Sequence, residues 1–387
     1  MLIFERRVQM RKFVIFHIVI GLVFTLLVSG CSITVTDAPP SNTPKVEHPF
    51  EENKKQEKAS TKHPEPLQIQ NGSFEKVYGW LDNETILYSY INEGKYVLES
   101  DQLYSKHHEV IFTSEAPIMN VLIHKHSKKL FIHTSPYSHS ANVYFTDFKG
   151  NIEFSTEIDS YELVYEWNET DPSLMLVTAF FEDWSYKVHL INVNTGKVEE
   201  VEDVQPFLKW YNDKQILEQD WKVDDLAFFA PVLKKSLYET TDPVKVFEDV
   251  FRFDIFANNI MTIKVEEDNI EALKYTFFDL QQQKIFDITL PNITQYSDWL
   301  IPYYTFNEKS KTFLTFAPKK HDSIELYNED YELISVDLNE HKKTVLFNNI
   351  ENKPILCSKE GDLCLYGYQY EQLLDLNTGK ILPLTNS

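Results

Sequence analysis

From Phe74 onward the chain is written in short apolar runs. Segments rich in Val, Ile, Leu, Phe, Tyr and Thr alternate with polar turns, as in Thr85–Tyr90, Leu174–Thr178 and Thr312–Phe316. Runs of this length, β-branched and aromatic and bounded by Asn, Asp and Gly, predict strands. No long stretch carries helical periodicity with caps at both ends, and only residues 222–239 are ambiguous.

The strands repeat. Trp80-Leu81-Asp82-Asn83-Glu84-Thr85-Ile86-Leu87 is echoed by Trp210-Tyr211-Asn212-Asp213-Lys214-Gln215-Ile216-Leu217, with Trp167-Asn168-Glu169 between them. The same slot falls at His124, Asp254, Phe306 and Cys357, at intervals of 44, 43, 43, 44, 52 and 51 residues along the chain. A second pattern runs out of step with the first: Asp or Asn, an apolar residue, a polar turn, then often Lys. Asp147, Asn192, Asp279, Asp337 and Asp375 open its copies, and Leu103-Tyr104-Ser105-Lys106 is a weaker one. Glycine in Asn-Thr-Gly-Lys supplies the positive φ that a tight hairpin demands.

Two hairpins in roughly 45 residues make a four-stranded meander, and a tandem array of meanders makes an all-β propeller. A pair of β-sandwiches needs no internal period, and solenoid coils are shorter. Seven units are counted; the fourth, about 207–250, lacks the second-hairpin signature, and read as an insertion it leaves six.

The N-terminus is organised differently. Arg6, Arg7, Arg11 and Lys12 precede an uncharged run from Phe13 to Val28, which ends in Val28-Ser29-Gly30-Cys31. At ~1.5 Å per residue that run falls short of a ~30 Å hydrocarbon core, so a processed signal fits better than a membrane span. It resembles a lipoprotein signal peptide with its lipobox, which implies cleavage before Cys31 and lipid on that cysteine. Residues 32–70 then hold six prolines among Lys, Glu, Ser and Thr. Such a stretch cannot offset its chain entropy by burial and reads as an extended spacer. The expected organisation is a signal peptide over 1–30, a lipidated cysteine and disordered spacer over 31–70, and a propeller over 71–387.

The lipobox, the Pro-rich spacer and stretches such as Gly79-Trp80-Leu81-Asp82 and His133-Thr134-Ser135-Pro136-Tyr137 resemble those of the Bacillus-type YqgU-like lipoproteins. The resemblance implies a six-bladed propeller of unassigned function on a membrane anchor.

Without residues 1–30 the chain has 33 basic and 58 acidic residues, a net charge of −25. That argues against nucleic acid and against adhesion to anionic lipid. Apart from Cys31 there are only Cys357 and Cys364. They flank a turn at Glu360-Gly361; in a two-residue hairpin they oppose each other at a hydrogen-bonded pair, within reach of a disulfide, with two buried thiols as the alternative.

Catalytic motifs are missing: no Gly-x-Ser-x-Gly elbow, His-Glu-x-x-His, P-loop or Gly-x-Gly-x-x-Gly occurs, and no cofactor is expected. Six of the twelve histidines fall between His107 and His139. His124 occupies a slot held elsewhere by Trp, so it reads as packing and not as a metal ligand. The loops carry a clearer signal. In a propeller the first-to-second and third-to-fourth strand turns share one face. The second-to-third loops and the blade-to-blade crossings share the other. Here the first set is short and polar, and the second places aromatics beside acids and histidines. Its candidate binding residues are Tyr137, His139, Asp183, Trp184, Trp221, Asp224, Asp298, Trp299 and His321. Aromatic side chains on loops beside carboxylates are the material of recognition surfaces. The expectation is an anchored, non-enzymatic binding module whose partner is a protein, a peptide or a cell-wall component. The alternative is a lyase or glycosidase acting on envelope polysaccharide, using His139, Asp183, Asp224 and Asp298 around the axis.

Overall fold

The computed structural model describes residues 64–69, 72–221, 227–239, 241–256, 258–266, 269–296 and 298–385. Cys31, the signal segment and residues 32–63 of the spacer lie outside the described residues, as does Asp224.

Among the described residues seven four-stranded antiparallel sheets follow one another, at 72–114, 118–159, 162–201, 209–250, 252–291, 304–350 and 355–383. These are blades 1 to 7. First strands touch between blades 1 and 2, 3 and 4, 4 and 5, and 6 and 7, so they form the inner ring. The second strands are the most apolar; Leu174–Phe180 is buried at every position. The segment 209–250, which lacks the second-hairpin signature, is a complete blade and not an insertion. Ambiguity over 222–239 resolves in part into the strand Ala230–Ser236.

The two sequence repeats are turn caps. In the first, Asp82, Asn168, Asn212 and Asn307 accept backbone N–H bonds from two or three residues downstream, closing the turn between strands one and two. In the second, Asp147, Asn192, Asp279, Asp337 and Asp375 accept backbone N–H bonds from two to four residues downstream, closing the turn between strands three and four. Short side-chain acceptors of this kind mimic a turn of backbone. Blade 4 hides its copy because Ser236 does the work: its Oγ accepts from the N–H groups of Tyr238 and Glu239 at 3.3 and 3.1 Å.

Each neighbouring pair of blades shares one apolar core, and the seven cores follow the ring. Leu87, Leu98 and Leu130 join blades 1 and 2; Phe131, Phe145 and Trp167 join 2 and 3; Leu176 and Trp210 join 3 and 4. Leu217 and Ile260 join blades 4 and 5; Tyr275, Phe277 and Phe313 join 5 and 6; Phe316 and Tyr366 join 6 and 7. The seventh core joins the last blade to the first, through Trp80, Ile86, Leu365 and Leu373, with Leu67 from the segment preceding blade 1. Leu67 N–H also donates to the Leu384 carbonyl at 2.8 Å. The ring is therefore closed.

The repeated tryptophan has a polar task as well. Trp210 donates its indole N–H to the Glu166 carbonyl of the preceding blade at 2.9 Å, and Trp80 donates to Leu356 of blade 7 at 2.9 Å. Both acceptors sit one residue before the slot of the preceding blade. His124 fills its slot as packing: it is buried, its ring lies 5.2 Å from that of Trp167, and Nδ1 shares a 2.8 Å hydrogen bond with Ser127 Oγ.

Cys357 and Cys364 pair across the first hairpin of blade 7 and form a disulfide. The turn differs from the expected one. Ser358 N–H donates to the Leu363 carbonyl and Gly361 N–H to Ser358, so the loop is 359–362. Alternation then puts the cysteines at a non-hydrogen-bonded pair, where side chains approach more closely than at the hydrogen-bonded pair expected from a two-residue turn.

The two long intervals of the repeat share one cause. The crossing from blade 5 to blade 6 forms a hairpin, Ile293–Gln295 with Asp298–Leu300, and the second-to-third loop of blade 6 adds a parallel strand to it, Asp322–Ser323. This small sheet lies on the loop-rich side.

Trp80→Ala removes a fully buried ring and the hydrogen bond that ties blade 1 to blade 7. It should destabilise the protein by ~3–5 kcal/mol, read as a lower urea midpoint by circular dichroism. An unchanged midpoint would show that this junction does not limit stability.

Candidate functional site

Exposed apolar side chains are distributed unequally over the propeller. Among the described residues 19 large apolar side chains are exposed. Six of them are on fourth strands, which form the blade rims: Val110, Ile152, Val198, Val244, Val345 and Ile381. Tyr238 alone among the 19 lies on the short-turn face. The other 12 lie on or beside the second-to-third loops and the crossings, and eight of these are aromatic: Tyr137, Tyr161, Tyr186, Phe207, Phe228, Tyr296, Tyr303 and Tyr368. Capped turns hold the opposite face short and polar, so the loop-rich face is the candidate functional site.

The residues singled out from sequence take different positions on it. Tyr137 is 68% exposed and stacks on His139, with ring centroids 6.1 Å apart. Asp183 is exposed on the blade 3 loop. Its Oδ1 accepts from the Ser185 hydroxyl and N–H at 2.6 and 3.0 Å, which holds its carboxyl below the usual range. Trp184 follows it at positive φ, half-buried. The Trp221 carbonyl accepts from Gln205 Nε2 at 3.3 Å. Trp299 packs inward against Phe229 and Phe251, at 5.7 and 5.3 Å between ring centroids. Asp298 is buried in the small sheet, and His321 Nδ1 lies 2.7 Å from Asn292 Oδ1 beside it. Tyr137 and His139 stack on one another, whereas His139, Asp183 and Asp298 belong to blade 2, blade 3 and the small sheet.

Sequence reasoning missed the cleft on this face between blades 6 and 7. It is lined by Leu300, Tyr303, Ile324, Glu329, Asp330, Tyr331, Glu351, Asn352 and Tyr368, with a volume of about 320 Å³. Each wall is fastened. Asn352 Oδ1 accepts Tyr303 N–H at 2.9 Å. Tyr327 OH donates to the Asp330 carbonyl at 3.2 Å and accepts Lys319 N–H at 3.1 Å, bracing the long blade 6 loop. Gly367, at φ 110°, lets the Tyr368 loop turn where a Cβ would collide with Glu371. The Tyr303 and Tyr368 rings stand nearly perpendicular, 83° apart with centroids at 6.4 Å. Lys320 lies 3.3 Å from Glu329 and Lys353 lies 2.7 Å from Glu351. The surroundings are negative nonetheless: burial first, then Glu351, Tyr368, Glu371 and Asp330, raise the Tyr366 phenol next to the cleft. These residues come from one crossing, one long loop, the next crossing and the next loop, so no sequence window contains them.

The inner ring holds a second polar constellation. Lys209 Nζ lies 3.1 Å from Glu166 Oε2 and 3.3 Å from Asp254 Oδ1, and Tyr304 OH donates to Asp254 Oδ2 at 2.8 Å. Four consecutive first strands are linked in this way. Burial works against the lysine's charge, but the two carboxylates outweigh it and hold the ammonium protonated. Every charged member is matched, which suits a structural clasp.

Known proteins share the β-propeller architecture. Residues 102–367 match the family described as "YqgU-like 6-bladed beta propeller domain". A Bacillus subtilis (strain 168) protein named "Uncharacterized lipoprotein YqgU" is 25% identical over 302 residues, 78% of this chain and 81% of its own. The crystal structure of the uncharacterized protein lmo1340 from Listeria monocytogenes EGD-e superposes with a TM-score of 0.77 at 23% identity, over 84% of this chain and 98% of that one. The β-propeller domain of the trilobed protease from Pyrococcus furiosus reaches 0.53 at 13% identity, over 82% of this chain and 99% of that one. The family description counts six blades, whereas this chain folds seven four-stranded sheets; the family match begins at the end of blade 1's third strand and stops within blade 7.

A buried histidine between blades 2 and 3 makes stability depend on pH. Burial lowers the His133 pKa to about 4, and its Nδ1 shares a hydrogen bond with the Tyr165 hydroxyl. Unfolded, histidine takes up a proton near pH 6.5. Between about 6.5 and 4 the unfolded chain therefore binds more protons here, and stability falls as pH drops through that window. Asp101, raised by burial to about 6, acts with the opposite sign, so the wild-type curve mixes the two. His133→Gln isolates the first: it should lose less stability than wild type from pH 6.5 to 4, by up to ~3 kcal/mol. Parallel curves in pH-dependent urea unfolding would contradict this.

Proposed function

The chain belongs to the YqgU-like β-propeller family, and from that premise we propose that it is a membrane-anchored, extracytoplasmic, non-enzymatic binding module that works through its loop-rich face. One observation carries the reading: the exposed aromatic side chains gather on the face where loops from all blades meet, and the capped-turn face is nearly free of them. Clustered exposed aromatics of this kind mark interaction surfaces. The lipobox at Cys31 and the name of the Bacillus subtilis relative support anchoring outside the cytoplasm. The proline-rich composition of residues 32–70 supports reading that segment as a spacer after the anchor. The net charge of −25 without residues 1–30 disfavours nucleic acid as the partner. A protein, a peptide or a cell-wall component is the class of partner.

Two outcomes test this. Cys31→Ala should move the protein from the membrane fraction to the soluble or secreted fraction; full retention would overturn the anchor. In crosslinking on intact cells, a Tyr137→Ala, Phe207→Ala and Tyr303→Ala triple variant should lose most of the adducts that wild type forms. Tyr238→Ala on the opposite face should keep them. Equal adduct patterns in the two variants would remove the loop-rich face from the function.

A further inference from the structure

We propose that the cleft between blades 6 and 7 binds an organic ammonium group carried on a short apolar stem, a site that rests on the loop-face reading and names its ligand chemistry.

The walls suit such a group better than the alternatives. Tyr303 and Tyr368 are 42% and 64% exposed, line the cleft together, and meet edge-to-face almost at a right angle. A compact cation can sit against ring faces set at such an angle, attracted by both. A flat neutral sugar prefers one broad aromatic shelf, which this corner does not offer. Leu300 and Ile324 line the same cleft and supply an apolar surface for a stem. The volume of about 320 Å³ holds a small headgroup with its stem.

Charge selects the sign of the ligand. Three carboxylates line the cleft, from Glu329, Asp330 and Glu351. Lys320 and Lys353 pair with the two glutamates and so use part of their charge. No ion pair or side-chain hydrogen bond of the Asp330 carboxylate is seen among the described residues; only its backbone carbonyl is engaged, by Tyr327. The cleft therefore keeps one uncompensated carboxylate beside an aromatic corner. A divalent cation needs several oxygens converging on one point, and with two of the three carboxylates already matched to lysines the cleft lacks them. A single ammonium needs only one carboxylate and the ring faces. The walls are fixed in advance by Asn352, Tyr327 and Gly367, so little ordering is required on binding.

The test uses the full chain in a non-ionic maltoside detergent, which carries no ammonium of its own. Choline, Nα-acetyl-lysine methylamide and neutral N-acetylglucosamine are titrated separately by saturation-transfer NMR. At least one ammonium probe should receive saturation and bind at least tenfold more tightly than the sugar. A quaternary preference points to choline-type ligands and a primary-amine preference to lysyl-type ligands; either supports the site. Tyr368→Ala should weaken binding by about 5- to 30-fold. Asp330→Asn should weaken it about threefold or more and flatten its salt dependence. Both side chains are exposed, and an unchanged circular dichroism melt shows that the variants fold. Tyr238→Ala should bind as wild type does. The proposal is overturned if neither ammonium binds, if the sugar binds as well as they do, or if Tyr238→Ala weakens binding as much as Tyr368→Ala. Should ammonium binding fail while the triple variant still loses its adducts on cells, only the ligand chemistry is wrong. Should both fail, the loop-face reading falls as well.

Discussion

Everything in this protein depends on closing the ring. Among the described residues no blade has a core of its own: each apolar cluster lies between two sheets, and the seventh joins the last to the first. A four-stranded meander with both faces apolar cannot stand alone in water; it needs a neighbour on each side. Residues separated by nearly the whole sequence, such as Trp80 and Leu356, must therefore meet before the first and last blades are covered. Closure relies mainly on side-chain packing; among the described residues four hydrogen bonds cross that seam, from Leu67 N–H to the Leu384 carbonyl, Val77 N–H to the Gln369 carbonyl, the Trp80 indole to the Leu356 carbonyl and Asn83 Nδ2 to the Glu360 carboxylate.

Closure also divides the molecule into two unlike faces. On one, Asx-type caps reduce the turns to a few polar residues, and some reach across to the next blade. Asn168 Nδ2 donates to the Asn212 carbonyl, and Asn307 Nδ2 to the Lys359 carbonyl. On that face the capping side chains are bonded to backbone groups. On the other face the described loops share no repeated cap, and two of them are long. The hairpin after blade 5 and the long loop of blade 6 meet as a small sheet, and beside it lies the cleft. Stability and recognition are thus assigned to opposite sides of one scaffold.

Buried polar groups follow the same economy. Lys209 ties three inner strands through Glu166 and Asp254, and Tyr304 extends the chain to a fourth. Such matched charges contribute less to net stability than to fixing the arrangement of neighbouring strands, because a shifted blade would leave a buried charge alone. His133 is different. It is kept neutral by burial, so the contact between blades 2 and 3 weakens in acid.

Local chemistry determined the strands, the turns and the repeat, because alternation, caps and turn residues act over a few positions and are written contiguously. Asp147, Asn192, Asp337 and Asp375 could be picked out as turn residues for that reason; Ser236 could not, since serine caps a turn without standing out in the pattern. The length and composition of the N-terminal segment likewise stood in the sequence. Which side chains face one another was decided by tertiary structure alone. Trp299 read as a recognition residue and packs against Phe229 and Phe251, because its loop folds back on the core between blades 5 and 6. The corner of Tyr303 and Tyr368 was illegible, because the rings are 65 positions apart and meet only when two blades are held side by side. A repeat announces how many blades a chain can build; the surface between two of them exists only once the ring has closed.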